Sequence, residues 1–330
     1  MQEEEFTKIS VYKKNLGLKR KPVFNMRDLA ISMAGLIFCM IFFVYPTVLH
    51  NKESLALVLE SLKENPFDAF SIEAEAAYVF DLSSNKELFA KNQEISLPLA
   101  SLTKIMTAVA ALRAVPETTT VSISQEDLRL EGDSGLYANE KWRLDDLLKL
   151  TLIESSNDGA EAVAGNIGKL RIKEGEYDTS RDAFIELMNE EAEKLGLNQS
   201  RFSNPTGLDI SEFEAGAYGS ARDMAILLGY GVNNYPDVFG NTKYSSVKME
   251  SLSDLSHVAI NTNKELNGIP VIIASKTGFT DLAGGNLAIV FDAGLGHMMV
   301  VVVLHSSVDG RFEDVRKLSW AALDFLSTGQ

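Results

Sequence analysis

The sequence predicts an α/β (α+β) fold in which one antiparallel sheet is flanked by helices and carries an inserted helical lobe. Three observations lead there. β-rich runs lie at both ends of the region beyond residue 72, helical spacing fills its middle, and no internal repeat interrupts it. The composition, 45% hydrophobic and 23% charged over 330 residues, is that of a globular chain long enough to bury a sizeable core. Those proportions exclude a disordered chain, a collagen-like repeat and a small disulfide-stapled scaffold.

Charge is divided unevenly along the chain. Residues 1–50 hold seven basic and four acidic residues, against a formal net charge of −15 for the whole. So acidic a body repels phosphate backbones, which argues against nucleic-acid binding. Residues 29–49 read LAISMAGLIFCMIFFVYPTVL and carry no charge. About 20 such residues span a hydrocarbon core. Lys8, Lys13, Lys14, Lys19, Arg20, Lys21 and Arg27 precede the run. Together they predict a cytoplasmic basic tail (1–28), an uncleaved transmembrane signal anchor (29–49) and an extracytoplasmic remainder at the cell membrane. The alternative is a cleaved signal. The run exceeds the usual h-region of about 7–15 residues, and no A-x-A-like site follows Pro46. Cys39 is the only cysteine, so no intrachain disulfide can form.

Residues 50–71 read as a short amphipathic helix ended by Asn65-Pro66, a linker to a domain over 72–330. A hairpin follows, with strands over 75–81 and 87–91 around the polar turn Ser83–Lys86. Helical spacing covers 101–114, 144–154, 158–169 and 181–195. The period then changes to β-rich runs at 271–279, 286–292 and 297–305, and an amphipathic helix over 311–326 closes the chain.

Ser101 and Lys104 stand three apart at the head of an apolar helix, one turn from each other on one face. A serine hydroxyl is a weak nucleophile until a base takes its proton, and a buried lysine with a lowered pKa is such a base. The spacing alone says little, since it recurs at Ser10–Lys13, Ser83–Lys86 and Ser245–Lys248. Ser155-Ser156-Asn157 falls in a polar break between two helices, where it either caps the next helix or pushes a hydroxyl and an amide into a cleft. Lys276-Thr277-Gly278 ends a β-rich run: either a solvated edge strand, or a cation and a hydroxyl for a carboxylate, with a glycine that admits a close backbone. None of His50, His257, His297 and His305 has metal-ligand spacing, and the expected chemistry needs no metal or cofactor.

In this order, S-x-x-K, S-x-N and K-T-G resemble the signature of penicillin-binding proteins and serine β-lactamases. PLASLTKIMTAVAAL (98–112), LLKLTLIESSNDGAEAVA (147–164), FSNPTGLD (202–209) and KTGFTDLAGGNLA (276–288) resemble the low-molecular-mass D-alanyl-D-alanine carboxypeptidases. The resemblance implies a β-lactamase/transpeptidase-like domain. It also implies a membrane-anchored serine carboxypeptidase that removes terminal D-Ala from peptidoglycan stem peptides and is inhibited covalently by β-lactams. Ser101 would be the nucleophile and Lys104 its proton acceptor. Ser155 would relay a proton to the leaving D-Ala, and Asn157 would hold the substrate amide. Lys276 and Thr277 would bind the terminal carboxylate, beside Gly278, and the backbone N–H groups of Ser101 and Phe279 would form the oxyanion hole. Rival readings are a D,D-endopeptidase or transpeptidase with the same site, and a catalytically silent wall-binding protein. A β-lactamase would need a deacylating glutamate, and Glu161 is merely one turn beyond the S-x-N.

This chain departs from such relatives in three places. It reads Ile273-Ala274-Ser275 where relatives often carry Asp-Gly, and Phe279 where a polar ring is frequent. Many relatives also append a β-rich domain and an amphipathic membrane helix; here the N-terminal run is expected to serve as tether.

Overall fold

The computed structural model describes Phe38 and residues 65–132, 134–172, 179–269, 271–294 and 296–328. The basic tail, the anchor apart from Phe38, and the helix expected before Asn65 lie outside the described residues. Among the described residues no helix is long and apolar enough to cross a membrane.

Sixteen of the elements matter for the site. A hairpin comes first, β1 (Ala76–Asp81) and β2 (Lys86–Lys91), then the short β3 (Leu97–Pro98). The helical lobe contains α1 (Thr103–Ala114), α2 (Leu144–Glu154), α3 (Asn157–Lys169), α4 (Ser180–Lys194) and α5 (Ala221–Asn234). Between α4 and α5 lie β4 (Arg201–Phe202) and β5 (Ala217–Gly219). A second hairpin, β6 (Ser246–Glu250) and β7 (Ser256–Ile260), leads into β8 (Ile272–Thr280), β9 (Gly284–Asp292), β10 (Met298–Ser306) and a final helix, α6 (Gly310–Ser327).

The main sheet has five antiparallel strands in the order β8-β9-β10-β1-β2, so the first and last strands of the domain meet at its centre, with Ala76 opposite Leu304. Both faces are covered, which is why β10 reads as a nearly unbroken apolar run (MMVVVVL) and not as an alternation. Ala76, Tyr78, Ala288, Val300 and Val302 face the helical lobe. Ala77, Val79, Leu287, Ile289, Val301 and Val303 face Phe312, Val315 and Leu318 of α6. At roughly 1.5–3 kcal/mol per buried aliphatic side chain, these two layers dominate the stability.

Local chemistry accounts for the boundaries. The β1–β2 turn is held by the Asp81 carboxylate, which accepts from Ser83 N (2.8 Å), Ser84 N (3.1 Å) and Ser84 Oγ (2.6 Å). α1 stops before Pro116, whose predecessor Val115 is extended.

Two expectations are corrected. The compact unit begins at Asn65, not at residue 72: Asn65 caps a 3₁₀ turn, Pro66–Ala69, and Phe67 buries its ring against Phe89 and Phe325. Residues 65–71, assigned to the linker, are therefore part of the domain. The helix expected to open at Ser101 starts at Thr103, Ser101 lying in a 3₁₀ turn (Ala100–Leu102) that runs into it. The Ile273-Ala274-Ser275 departure falls where the β8–β9 register shifts, between Ile272 and Ala274. Beyond it the strand is re-anchored, since Ser275 N donates to Thr242 Oγ1 (2.9 Å) and Ser275 Oγ to Thr242 O (3.2 Å).

Candidate active site

The three motifs converge at the edge of the sheet. Ser101 sits in the turn ahead of α1, preceded by Ala100 with φ +48°. Ser155 ends α2 in the left-handed region (φ 64°, ψ 35°), while the side chain of Ser156, not of Ser155, caps α3 by accepting from Gly159 N at 2.9 Å. A non-glycine residue in that region is uncommon and costs free energy, so two such residues flanking one cleft mark stored strain. The chain reverses at Ser155, and Ser155 and Asn157 are thereby aimed at the cleft.

Lys104 is fully buried. Its Nζ lies 2.9 Å from Ser101 Oγ, 2.7 Å from Asn157 Oδ1 and 2.8 Å from Thr206 O. Burial lowers its pKa from 10.5 to about 7, opposed by the charge of Glu161. Asn157 Oδ1 and the Thr206 carbonyl only accept hydrogen bonds. A neutral amine therefore directs its two N–H groups at them and its lone pair at Ser101, whose hydroxyl then donates. This is the arrangement of a serine and its base.

Lys276 mirrors it. Its Nζ donates to Ser155 Oγ (2.9 Å) and to Thr277 O (2.8 Å). Burial, then the charges of Lys104 and Arg311, hold its pKa well below the usual lysine value. The lysine that the sequence left open as solvated is thus buried, and an arriving carboxylate would favour its charged form. Asn157 Nδ2 donates to Glu131 O at 2.7 Å, so its carboxamide bridges Lys104 and the opposite wall.

Gly278 explains why a glycine follows the Lys-Thr pair. A Cβ there would lie 2.9 Å from Leu99 O and 3.2 Å from Ser101 N. Gly278→Ala is expected to push the strand off the serine turn, costing about 1–3 kcal/mol of stability. Thermal unfolding checks it. Phe279 is 49% exposed at the mouth of a groove of about 550 Å³, which Leu130, Glu131, Leu208 and Asp209 also line.

Several contributors carry no motif. Asn204 Oδ1 accepts from Gly207 N (2.7 Å) and Thr206 N (3.2 Å), which turns the Thr206 carbonyl onto Lys104. Arg311, buried, donates to Gly278 O at 2.7 Å. Its one sequence signal is its place four residues before Val315, a charge on the apolar stripe of α6. Asn286 Nδ2 donates to Pro98 O (2.9 Å) and Leu99 O (3.0 Å), fastening β9 to the serine turn. Glu161, considered above as a deacylating base, instead pairs with Arg181 at 2.6 Å.

A family model for D-alanyl-D-alanine carboxypeptidase matches residues 61–307. The chain belongs to that family. Among its relatives, the D-alanyl-D-alanine carboxypeptidase DacF of Bacillus subtilis is 30% identical over 241 residues, covering 70% of this chain and 57% of the relative. The D-alanyl-D-alanine endopeptidase of Escherichia coli is 29% identical over 225 residues, covering 64% of this chain and 65% of the relative. The chain thus spans between about half and two thirds of the length of these relatives. Among solved structures, ampicillin-bound penicillin-binding protein D2 of Listeria monocytogenes aligns over 76% of this chain and 98% of its own, with TM-score 0.63 and 27% identity. The fold expected from the motifs is therefore the fold of the family.

Proposed function

We propose that the protein is a serine D-Ala-D-Ala carboxypeptidase acting on peptidoglycan stem peptides. The observation that carries this reading is the hydrogen-bond set of Lys104, which among the described residues leaves Ser101 alone to face its lone pair. Ser101 Oγ attacks the carbonyl of the penultimate D-Ala as Lys104 takes the hydroxyl proton. The backbone N–H groups of Ser101 and Phe279 hold the oxyanion. The C–N bond breaks and the leaving amine takes a proton from Ser155, backed by Lys276. Water then hydrolyses the acyl-enzyme by the same route in reverse. Thr277 and Lys276 receive the terminal carboxylate, and the groove past Phe279 takes the acyl side of the substrate. β-Lactams would acylate Ser101 and remain, a reading supported by the ampicillin-bound form of the Listeria monocytogenes protein.

The test is D-Ala release from a diacyl-Lys-D-Ala-D-Ala peptide by the full-length chain, with mass mapping of a benzylpenicillin adduct. Release together with an adduct on Ser101 is the expected result. An adduct without release would favour the endopeptidase reading, which the Escherichia coli relative supports, and cleavage of a cross-linked dimer would then identify it.

The uncharged run at 29–49 and the basic cluster before it support a single-pass anchor with a cytoplasmic N-terminus and an extracytoplasmic catalytic domain. A mature N-terminus beyond residue 45 would overturn that.

A further inference from the structure

The Thr277 hydroxyl has a neighbour that the reaction as written does not use. Its Oγ1 lies 2.5 Å from Oγ1 of Thr262, in the segment just after β7. We propose that Thr262 is a positioning residue for carboxylate recognition: its hydroxyl donates to Thr277 Oγ1 and so directs the Thr277 proton at the terminal carboxylate of the substrate. The inference rests on the role given to Thr277 above.

The direction follows from counting protons. Each hydroxyl has one proton and two lone pairs, and a carboxylate only accepts. Two hydroxyls in contact hold one proton between them and leave one free. If Thr277 donated to Thr262, it would present lone pairs to an anion. With the pair oriented the other way, the run O–H···O–H···O⁻ is a chain of donors in which each bond polarises the next. Without Thr262 the Thr277 hydroxyl is a free rotor.

The segment is built to hold that orientation. Thr262 N donates to Ile153 O (3.3 Å), two residues before Ser155. Asn261 Nδ2 donates to Thr242 O (2.7 Å) and Tyr244 O (3.0 Å), and Asn263 N donates to Asn261 Oδ1 (2.8 Å). Thr242 is also the residue that anchors Ser275 in β8. Thr262 therefore ties the end of α2, which presents Ser155, to the strand that presents Thr277.

The chemistry supplies a discriminating experiment. The terminal carboxylate leaves with D-Ala, so a residue that acts through it affects acylation and not hydrolysis of the acyl-enzyme. In the full-length chain, Thr262→Val is expected to lower kcat/KM for diacyl-Lys-D-Ala-D-Ala about 10-fold, as for loss of one charge-assisted hydrogen bond. The deacylation rate, read in a single turnover, is expected to stay at the wild-type value. Thr262→Ser, which keeps the hydroxyl and packs into the same space, is expected to stay within about twofold of wild type. The Thr262→Val/Thr277→Val double variant is expected to match Thr277→Val alone. An unchanged kcat/KM in Thr262→Val, equal slowing of acylation and deacylation, or additive losses in the double variant would each overturn the inference. Thr277→Val with wild-type kcat/KM would instead overturn the role of Thr277 itself, whatever Thr262 does.

Discussion

Ser101→Ala is expected to abolish D-Ala release and penicillin labelling together, by at least about 10⁴-fold in kcat/KM, with the fold unchanged. The size of the loss follows from the proposed mechanism: without Oγ there is no acyl-enzyme, and among the described residues no other side-chain hydroxyl hydrogen-bonds the amine of Lys104. Little structural effect is expected. Among the described residues the Ser101 side chain makes one hydrogen bond, through Oγ to Lys104, and alanine fits the 3₁₀ turn in which it sits. Release rates, intact mass after penicillin treatment and a thermal melt measure all three. A catalytically silent wall-binding protein would lose nothing in the cell from the same change, so the variant also separates those two readings.

Lys104→Arg is expected to lower acylation by about 10³-fold while keeping a positive side chain, because a guanidinium does not give up its proton in the working range. It also changes the pH response, and the sign is fixed by burial. Lys104 is displaced downward, from 10.5 to about 7, so below pH 7 it is an ammonium with no lone pair for the serine. The wild-type acylation rate is therefore expected to rise as pH increases through about 7, and Lys104→Arg to remove that rise. A stopped-flow pH profile of penicillin acylation checks it; an acid limb unchanged in the variant would assign the titration to another group.

Much of this site was legible because its chemistry is concentrated in three short segments. A serine and lysine one turn apart must meet if the helix forms, and the polar break at Ser155–Asn157 is bounded by two clear helical periods. The buried strands were equally plain, since Met298–Ser306 is apolar without alternation. What escaped has physical reasons. Thr206 acts through a carbonyl, which every residue owns, and only its tertiary placement against Lys104 matters. Thr262 gains meaning from a strand ten residues later. The helix Ala221–Asn234 contains Gly229 and Gly231, poor helix formers. Only the fold shows why they are there, with Leu82 and Phe239 packed where a Cβ would be, at 2.8 and 2.7 Å. Strands of two or three residues, such as Leu97–Pro98 and Arg201–Phe202, are too short to show a period.

The pairing of the domain's first strand with its last large one bears on how the protein comes into being. During synthesis Ser101, Lys104, Ser155 and Asn157 emerge early, on or beside helices whose own backbone hydrogen bonds are local and quick to form. The strand bearing Lys276 follows much later, and the sheet that fixes it against Ser101 closes only when Met298–Ser306 arrives between it and the waiting Ala76–Asp81. Loop closure on that scale is slow and leaves an apolar strand edge open meanwhile. Completion of the proposed site is therefore a late event in the life of each molecule: an unfinished chain carries Ser101 and Lys104 but lacks the wall that Lys276 and Thr277 form.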